Sequence, residues 1–358
     1  MVSSQAKREV SEQQLQAFMG KVVTDLGAAL SMGLAYIGEK LGLYKALAEA
    51  GPLTSAELAE HTGTVERYVR EWLINQAAGG YVEYEPESGR YSLSPEQELA
   101  LADQNSPFYV GGGFYVVKAM MNAQPRIAEA FVKGGGMLWE EHDPDLFVGT
   151  ERFFRPGYAA HLVADWLPSL TGIEEKLKAG ARVADIGCGH GASTIIMAKA
   201  YPHSQFHGFD NHEQSIDTAR RAAAQAGVSD RVNFEVSDAS SFPAREYDLI
   251  TFFDCLHDMG DPVGAAKRAC ESLAADGSAM IVEPMAGNRV EENFNPVGRT
   301  FSAASTLCCT ANSLALNGAG LGAVATDQAL RETVLSGGFK TFRRATETPF
   351  NRIFEARH

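Results

Sequence analysis

The chain has 358 residues, 45% of them hydrophobic, and a formal net charge of -14 at pH 7. That length suits two domains, and that charge repels nucleic acid and anionic membrane surfaces. There is no internal repeat, no low-complexity segment and no apolar stretch near the roughly 20 residues that cross a bilayer, which excludes a solenoid and predicts a chain without a membrane span.

Met1 to Val10 carries Lys7, Arg8 and Glu9 without a following apolar core, so no secretory signal is expected and the compartment reads as cytoplasmic. From Leu15 to Leu43, Phe18, Val22, Leu26, Leu30, Leu34 and Ile37 recur at helical spacing. A stripe of that length needs a partner, inside the chain or in a second copy. Thr54 to Gly63 reads as a short helix with a capping residue and a glycine stop, and Val65 to Ala78 as a longer one. Tyr81 to Glu85 and Arg90 to Leu93 flank the turn-forming Pro86-Glu-Ser-Gly89, which predicts a hairpin and completes a winged helix. A DNA-reading helix brings lysine and arginine to phosphates. Between Leu34 and Glu98, eleven acids stand against five bases, so this winged helix is expected to contact protein rather than DNA.

Residues 101–170 form a bridge whose glycine triplets, Gly111 to Gly113 and Gly134 to Gly136, predict turns. It is rich in aromatics, including Trp139, Phe147, Phe154, Tyr158 and Trp166, most of them expected in the core.

Val183-Ala-Asp-Ile-Gly-Cys-Gly-His-Gly191 reads as a buried strand breaking into a glycine turn and then a helix near Ala192. Such a turn lets backbone approach a ligand and offers helix N–H groups to it. The looser G-x-G-x-x-G/A dinucleotide fingerprint fits as well. Asp185 at the strand's end would repel a pyrophosphate, however, and favours the cationic S-adenosylmethionine. Ser204 to Asp210 is a second strand ending in an acid, suited to ribose hydroxyls. Val232 to Ala239 ends in Ser-Asp-Ala, where Asp238 can accept from an adenine amino group. Tyr247 to Asp258 is an apolar strand running into a polar tip, and Ala279 to Glu283 stops at Pro284.

In this order the segments resemble the class I S-adenosylmethionine-dependent methyltransferases over residues 150–358. Phe339 to Ala345 and Phe350 to Ala356 look like the closing antiparallel hairpin of that family's sheet, and the first hundred residues resemble the winged-helix dimerisation module of bacterial and plant small-molecule O-methyltransferases. The resemblance implies a Rossmann-like α/β sheet of order 3-2-1-4-5-7-6 with an antiparallel last strand, behind a mostly helical winged-helix domain. The implied divisions are 1–100, the bridge 101–170, which roofs the site, and the catalytic part 171–358. It implies S-adenosylmethionine as cofactor and S-adenosylhomocysteine as product, a small-molecule acceptor and a homodimer.

By the same resemblance, Asp185, Gly187, Cys188 and Gly189 hold the methionine end, Asp210 with Asn211 the ribose, and Asp238 with Ala239 the adenine. Phe253 and Asp254 lie beneath the sulfonium, and Phe154 and Tyr158 roof it. Leu256-His-Asp258 matches the family's L-H-D stretch, whose histidine is the general base, although Met259 stands where tryptophan is usual. An imidazole with pKa near 6.5 suits that role at neutral pH. Glu283 is expected to orient His257, with Asp258 in support; the plainer reading is a histidine capping a loop beside Asp258. No metal is expected, because spacing supplies no ligand beyond the His257–Asp258 pair. Cys188, Cys255, Cys270, Cys308 and Cys309 read as reduced thiols, and the adjacent Cys308 and Cys309 as small core residues rather than a redox or metal feature. The segment from Pro284 to about Ala325 is an insertion that shapes the acceptor pocket or a dimer wall. Hydroxyl, amine, thiol and carbon acceptors all stay open. Alternatives are a cofactor-sensing regulator, a metal-dependent C-methyltransferase and a dehydrogenase.

Overall fold

The computed structural model describes residues 10–358, so Lys7, Arg8 and Glu9 of the N-terminal segment lie outside it. The chain divides into two compact units, with the break between Phe114 and Tyr115.

The first unit begins with the long helix α1 (Glu12–Lys40), followed by α2 (Leu43–Ala50), α3 (Ser55–Thr62), α4 (Glu66–Ala78), the hairpin of β1 (Glu83–Glu85) and β2 (Arg90–Ser92), and α5 (Pro95–Leu101). Thr54 and Glu57 form the reciprocal cap at the start of α3, and Gly63 ends it in the left-handed conformation that glycine adopts without penalty. Arg90 on β2 donates to both Glu57 oxygens at 2.8 Å, which ties the wing to the helix pair. Tyr44, Leu47, Leu58, Trp72 and Leu73 fill the core. α3 carries its own cap and stop, whereas α4, which follows Val65, starts without a side-chain cap.

One expectation meets a weak counter-signal here and another fails. Within α1 an 18-residue window reaches a mean hydropathy of 1.2 with at most two charged residues, so by length and composition this helix could cross a membrane. Lys21 and Asp25 interrupt the apolar run in sequence, but they are one helical turn apart and pair at 2.6 Å. Gly111 to Gly113, expected at a turn, instead opens α6 (Gly111–Lys133), because burial of the apolar residues that follow outweighs glycine's helix cost. Gly134 and Gly135, at positive φ, do form the turn expected of the second triplet.

In the second unit α7 (Asp145–His161) and α8 (Ile173–Ala179) lead into the sheet: β3 (Arg182–Ile186), α9 (Ala192–Ala200), β4 (Gln205–Asp210), α10 (Glu213–Ala226), β5 (Val232–Val236), β6 (Tyr247–Phe253), α11 (Pro262–Ser272) and β7 (Leu273–Pro284). Then come α12 (Pro296–Ala304), α13 (Thr310–Ala315), α14 (Asp327–Ser336), β8 (Thr341–Glu347) and β9 (Asn351–Arg357). The spatial order is β5-β4-β3-β6-β7-β9-β8. Numbered within this unit it is the expected 3-2-1-4-5-7-6, with β9 antiparallel to both neighbours.

Successive side chains of a strand point to opposite faces, and both faces here are covered by helices. Val183 and Leu249 pack with Ile173, Leu177, Met197 and Ile216 on one face. Ala184, Ile186, Ile250 and Phe252 pack with Ala265, Leu330 and Val334 on the other. With both faces closed, the carboxyl edge of the parallel strands is where a ligand can enter.

In the first unit, the Trp72 indole donates to the Leu34 carbonyl at 2.8 Å and packs on Gly38, where an added Cβ would stand 2.4 Å from the ring. Gly38→Ala is therefore expected to destabilise this unit by about 1–3 kcal/mol, the usual cost of overpacking. Urea unfolding followed by Trp72 fluorescence checks this.

Candidate active site

The glycine turn after β3 sets the floor of a cavity of about 690 Å³. Gly187 and Gly191 both adopt positive φ, and a Cβ would meet Cys255 Sγ at 2.8 Å from the first and Phe234 at 2.5 Å from the second. Both positions need glycine for conformation and for space. The turn delivers the N-terminus of α9, which has no side-chain cap.

Asp210, at the end of β4, accepts from the Gly189 and His212 amides at 2.9 Å each. Burial raises its pKa, and these two bonds oppose the shift. The arrangement aims a fixed carboxylate at the cavity, as recognition of a ribose diol requires.

Gly187, Cys188, Gly189, Asp210, Asn211, Asp238 and Ala239 line one side of the cavity. Phe154, Tyr158, Phe253 and Asp254 line it as well. The Tyr158 hydroxyl donates to Asp254 Oδ2 and the Asn351 amide to Oδ1, both at 2.8 Å. Asp254 holds φ at +51°, uncommon outside glycine, and burial pushes its carboxyl up to about 7. Phe154 stacks on Tyr158, with ring centroids 5.9 Å apart.

Three of the expected site residues do not line the cavity: Asp185, His257 and Glu283. Asp185 is fully buried and its carboxylate accepts from the hydroxyls of Ser193, Thr194 and Thr251. It braces the glycine turn against α9 and β6 and reaches a ligand only through them; burial pushes it up to about 6. His257 and Glu283 form a buried pair, Nδ1 donating to Oε2 at 2.6 Å. Burial disfavours the imidazolium, but the Glu283 carboxylate, and then Cys309, outweigh it and hold His257 well above its ordinary pKa.

Asp258, next along the chain, does line the cavity, and its carboxylate lies within 4.8 Å of the facing His257 and Cys309 atoms. Burial pushes Asp258 up to about 7, with His257 pulling the other way. Asn312 donates to the Asp258 carbonyl at 3.0 Å and Ser313 to that of Met259 at 2.9 Å, so α13 clamps the turn that carries these groups.

The sequence reading missed Glu151 and Asp261 on the cavity wall, and Asn312, Leu316 and Asn317 from the insertion. Position after Glu283 was the only signal for the last three. His142 is buried beside Trp139 and stays off the wall. Among the described residues the wall carries six acids, Glu151, Asp210, Asp238, Asp254, Asp258 and Asp261, and no lysine or arginine.

Glycine cradle, buried carboxylate for a diol and acid-rich wall fit a ligand with a ribose and cationic groups. Residues 177–331 match a family described as a methyltransferase domain, and residues 28–102 the Rv2258c-like winged HTH domain. The 27-O-demethylrifamycin SV methyltransferase of Amycolatopsis mediterranei is 33% identical over 131 residues, 34% of this chain and 48% of that protein. The ubiquinone biosynthesis O-methyltransferase of Aromatoleum aromaticum is 28% identical over 187 residues, 51% of this chain and 67% of that protein. The chain thus spans about half to two thirds of the length of these curated relatives.

Solved structures match almost end to end. A putative O-methyltransferase from Nostoc punctiforme superposes with a TM-score of 0.73 at 19% identity, covering 97% of this chain and 99% of that one. Human N-acetylserotonin methyltransferase in complex with S-adenosylmethionine gives 0.68 at 19% identity, covering 99% of both chains. At such identities the likeness establishes the fold. Residues 177–331 are thus similar to a methyltransferase domain and residues 28–102 to an Rv2258c-like winged HTH domain, on a fold shared with these solved methyltransferase structures.

Proposed function

We propose that the protein transfers a methyl group from S-adenosylmethionine to a small-molecule acceptor, with His257 as general base. The buried His257–Glu283 pair beside a cavity-lining carboxylate carries this reading. Bound at the glycine turn, the cofactor supplies an electrophilic methyl on a sulfonium. Asp210 and Asn211 hold its ribose, Asp238 and Ala239 its adenine, and Gly187, Cys188 and Gly189 its methionine end, with Asp185 acting through the turn. Phe253 and Asp254 lie under the reacting centre, and Phe154 and Tyr158, from the bridge 101–170, exclude water above it.

Transfer is an in-line displacement, so the protein contributes alignment, dryness and removal of the acceptor's proton. The acceptor's hydroxyl or amine lies against Asp258, and its proton ends on His257, which Glu283 orients and stabilises as imidazolium. A wall of acids without lysine or arginine suits a neutral or cationic acceptor better than an anionic one.

The winged helix serves protein contact. Arg67 and Arg70 on α4 are each tied to a glutamate one turn away, which leaves that helix no positive face for phosphates. The occupant of α1's apolar face is a second copy of the chain. Phe18, Val23, Leu26 and Leu30 are all more than half exposed, while Lys21 and Asp25 at mid-helix make a bilayer the costlier cover. The compartment is the cytoplasm.

Light scattering is expected to give a dimer mass, reduced to a monomer by Leu26→Glu with Leu30→Glu. A monomeric wild type that partitions into neutral vesicles would refute the second copy.

For the cofactor site, Asp210→Ala is expected to weaken S-adenosylhomocysteine binding roughly 100-fold, the loss of two charge-assisted hydrogen bonds of about 1.5 kcal/mol each. Calorimetric titration measures it.

For the base, His257 must lose its proton before it can accept another, and its raised pKa keeps that proton bound at neutral pH. The rate is therefore expected to rise with pH through a midpoint above about 6.5. Glu283→Gln should move that midpoint down, because the carboxylate that favours the imidazolium is gone. His257→Ala should lower kcat by about 10²–10⁴ and leave cofactor affinity unchanged. A pH-independent wild-type rate would remove His257 from the reaction.

A further inference from the structure

Cys309 has no part in the chemistry above, yet it stands against the histidine that does. A five-residue π-helical turn, Ser305–Cys309, joins α12 to α13. Cys308 and Cys309 are the last two residues of that turn. Both pack with Ala119, Met120 and Leu146, and the Cys309 thiol also lies within 4.8 Å of ligand atoms of His257 and Asp258. Single π turns of this kind recur where a helix must aim a side chain at a site.

With Nδ1 of His257 engaged by Glu283, Nε2 is the nitrogen left for the other side of the ring. One ligand atom each from His257, Asp258 and Cys309 lie within 4.8 Å of one another. We infer that these three groups form a site for one borderline-soft divalent cation, zinc by its ligand set, at the inner end of the cavity.

Four observations carry the inference. The donors are imidazole nitrogen, thiolate and carboxylate, the mixture that zinc takes. Ligand atoms around tetrahedral zinc sit about 3.3–3.8 Å apart, so closing from 4.8 Å needs only side-chain rotation. Glu283 holds the outer nitrogen of the ring, the carboxylate–histidine–metal arrangement that fixes a ligating imidazole. Asp258 lines the cavity, which gives the ion a route in.

Charges balance as well. A dication with one thiolate, one carboxylate and a neutral imidazole is net neutral, as a buried site requires. Binding displaces the thiol proton and any proton on Nε2 into solvent, so affinity rises with pH. Occupation takes the lone pair of Nε2, and zinc is therefore an inhibitor of the proposed methyl transfer, reversed by a chelator. Only the inhibition rests on the proposed base role; the site does not.

The test uses the reduced, chelator-treated full chain and metal alone. Cobalt(II) titration is expected to saturate at one equivalent, with tetrahedral visible bands and a thiolate-to-metal charge-transfer band. Zinc should displace the cobalt. Cys309→Ser should abolish the charge-transfer band, and Cys308→Ser should retain it. Glu283→Gln should weaken binding roughly 10–100-fold. S-Adenosylhomocysteine affinity equal to wild type in Cys309→Ser shows that the variant is folded. Absence of saturable one-to-one binding, or a charge-transfer band that survives Cys309→Ser, overturns the site. Because the titration needs no acceptor, it decides the metal site whether or not methyl transfer is observed. Should transfer occur and saturating zinc leave its rate unchanged, the inhibitory role falls.

Discussion

The register between β6 and β7 decides where the chemistry stands. Phe253 pairs with Val282, so Asp254 and Glu283, the next residues, stand at the same level. The Asp254 amide continues the ladder by donating to the Val282 carbonyl at 2.8 Å. The positive φ of Asp254 then swings the chain away, and Leu256, buried in the core, turns it back so that His257 meets Glu283. A slip of one residue would set Val282 or Pro284 against the imidazole and invert every side chain of the strand. The antiparallel neighbour fixes the same level from the other side, because β9 pairs Asn351 with Pro284 and Asn351 reaches Asp254.

Burying this pair has a cost that the rest of the sheet edge offsets. Glu283 is fully buried, and its cross-strand partner on β9 is Arg352, also fully buried. Arg352 donates to the Pro284 carbonyl at 2.9 Å and to Asp327 at 2.8 Å, and Asp327 takes a second guanidinium from Arg344. No hydrogen bond joins Glu283 to Arg352: Glu283 Oε1 and Arg352 Nη2 are each buried without a partner, so the row of charges from His257 to Arg344 is continuous there only through space. Such a chain is weak evidence of net stability, but truncating one member strands the next as an uncompensated buried charge, at about 3–5 kcal/mol. The hairpin reaches the site through Asn351, which donates to Asp254, although no residue of β9 lines the cavity.

The parts legible in the sequence are those whose signal is local. The glycine turn, the acids ending β4 and β5, the cap of α3 and the hairpin at β1–β2 each sit within about ten residues of one another, and their physics is turn geometry and strand alternation. The strand order came from resemblance, because pairing in a parallel sheet is not written in any one segment. What could not be read is tertiary. Asp185 looked like a ligand group because it ends a strand; only the fold brings Thr251 from the neighbouring strand to its carboxylate beside Ser193 and Thr194. Cys309 packs against the core as expected, and only the fold shows that its thiol also stands beside His257 and Asp258. Gly111 to Gly113 misled for a related reason, since a helix start tolerates glycine when burial beyond it supplies the driving force.

The acidic wall gives the proposed reaction a direction. Of the six acids lining the cavity, burial lifts Asp254 and Asp258 to about 7, so their ionisation is responsive near neutral pH. A cation placed beside them pulls both toward the charged form, and each carboxylate so formed strengthens the hold on it. In methyl transfer that cation is consumed, because the sulfonium becomes a neutral thioether and the released proton ends on the protein. The attraction that held the charged cofactor therefore weakens as the methyl leaves, and protonation of the wall replaces part of the lost counter-charge. With no lysine or arginine on the wall, the imidazolium that the proposed transfer leaves at His257 is then the cation that faces Asp254 and Asp258.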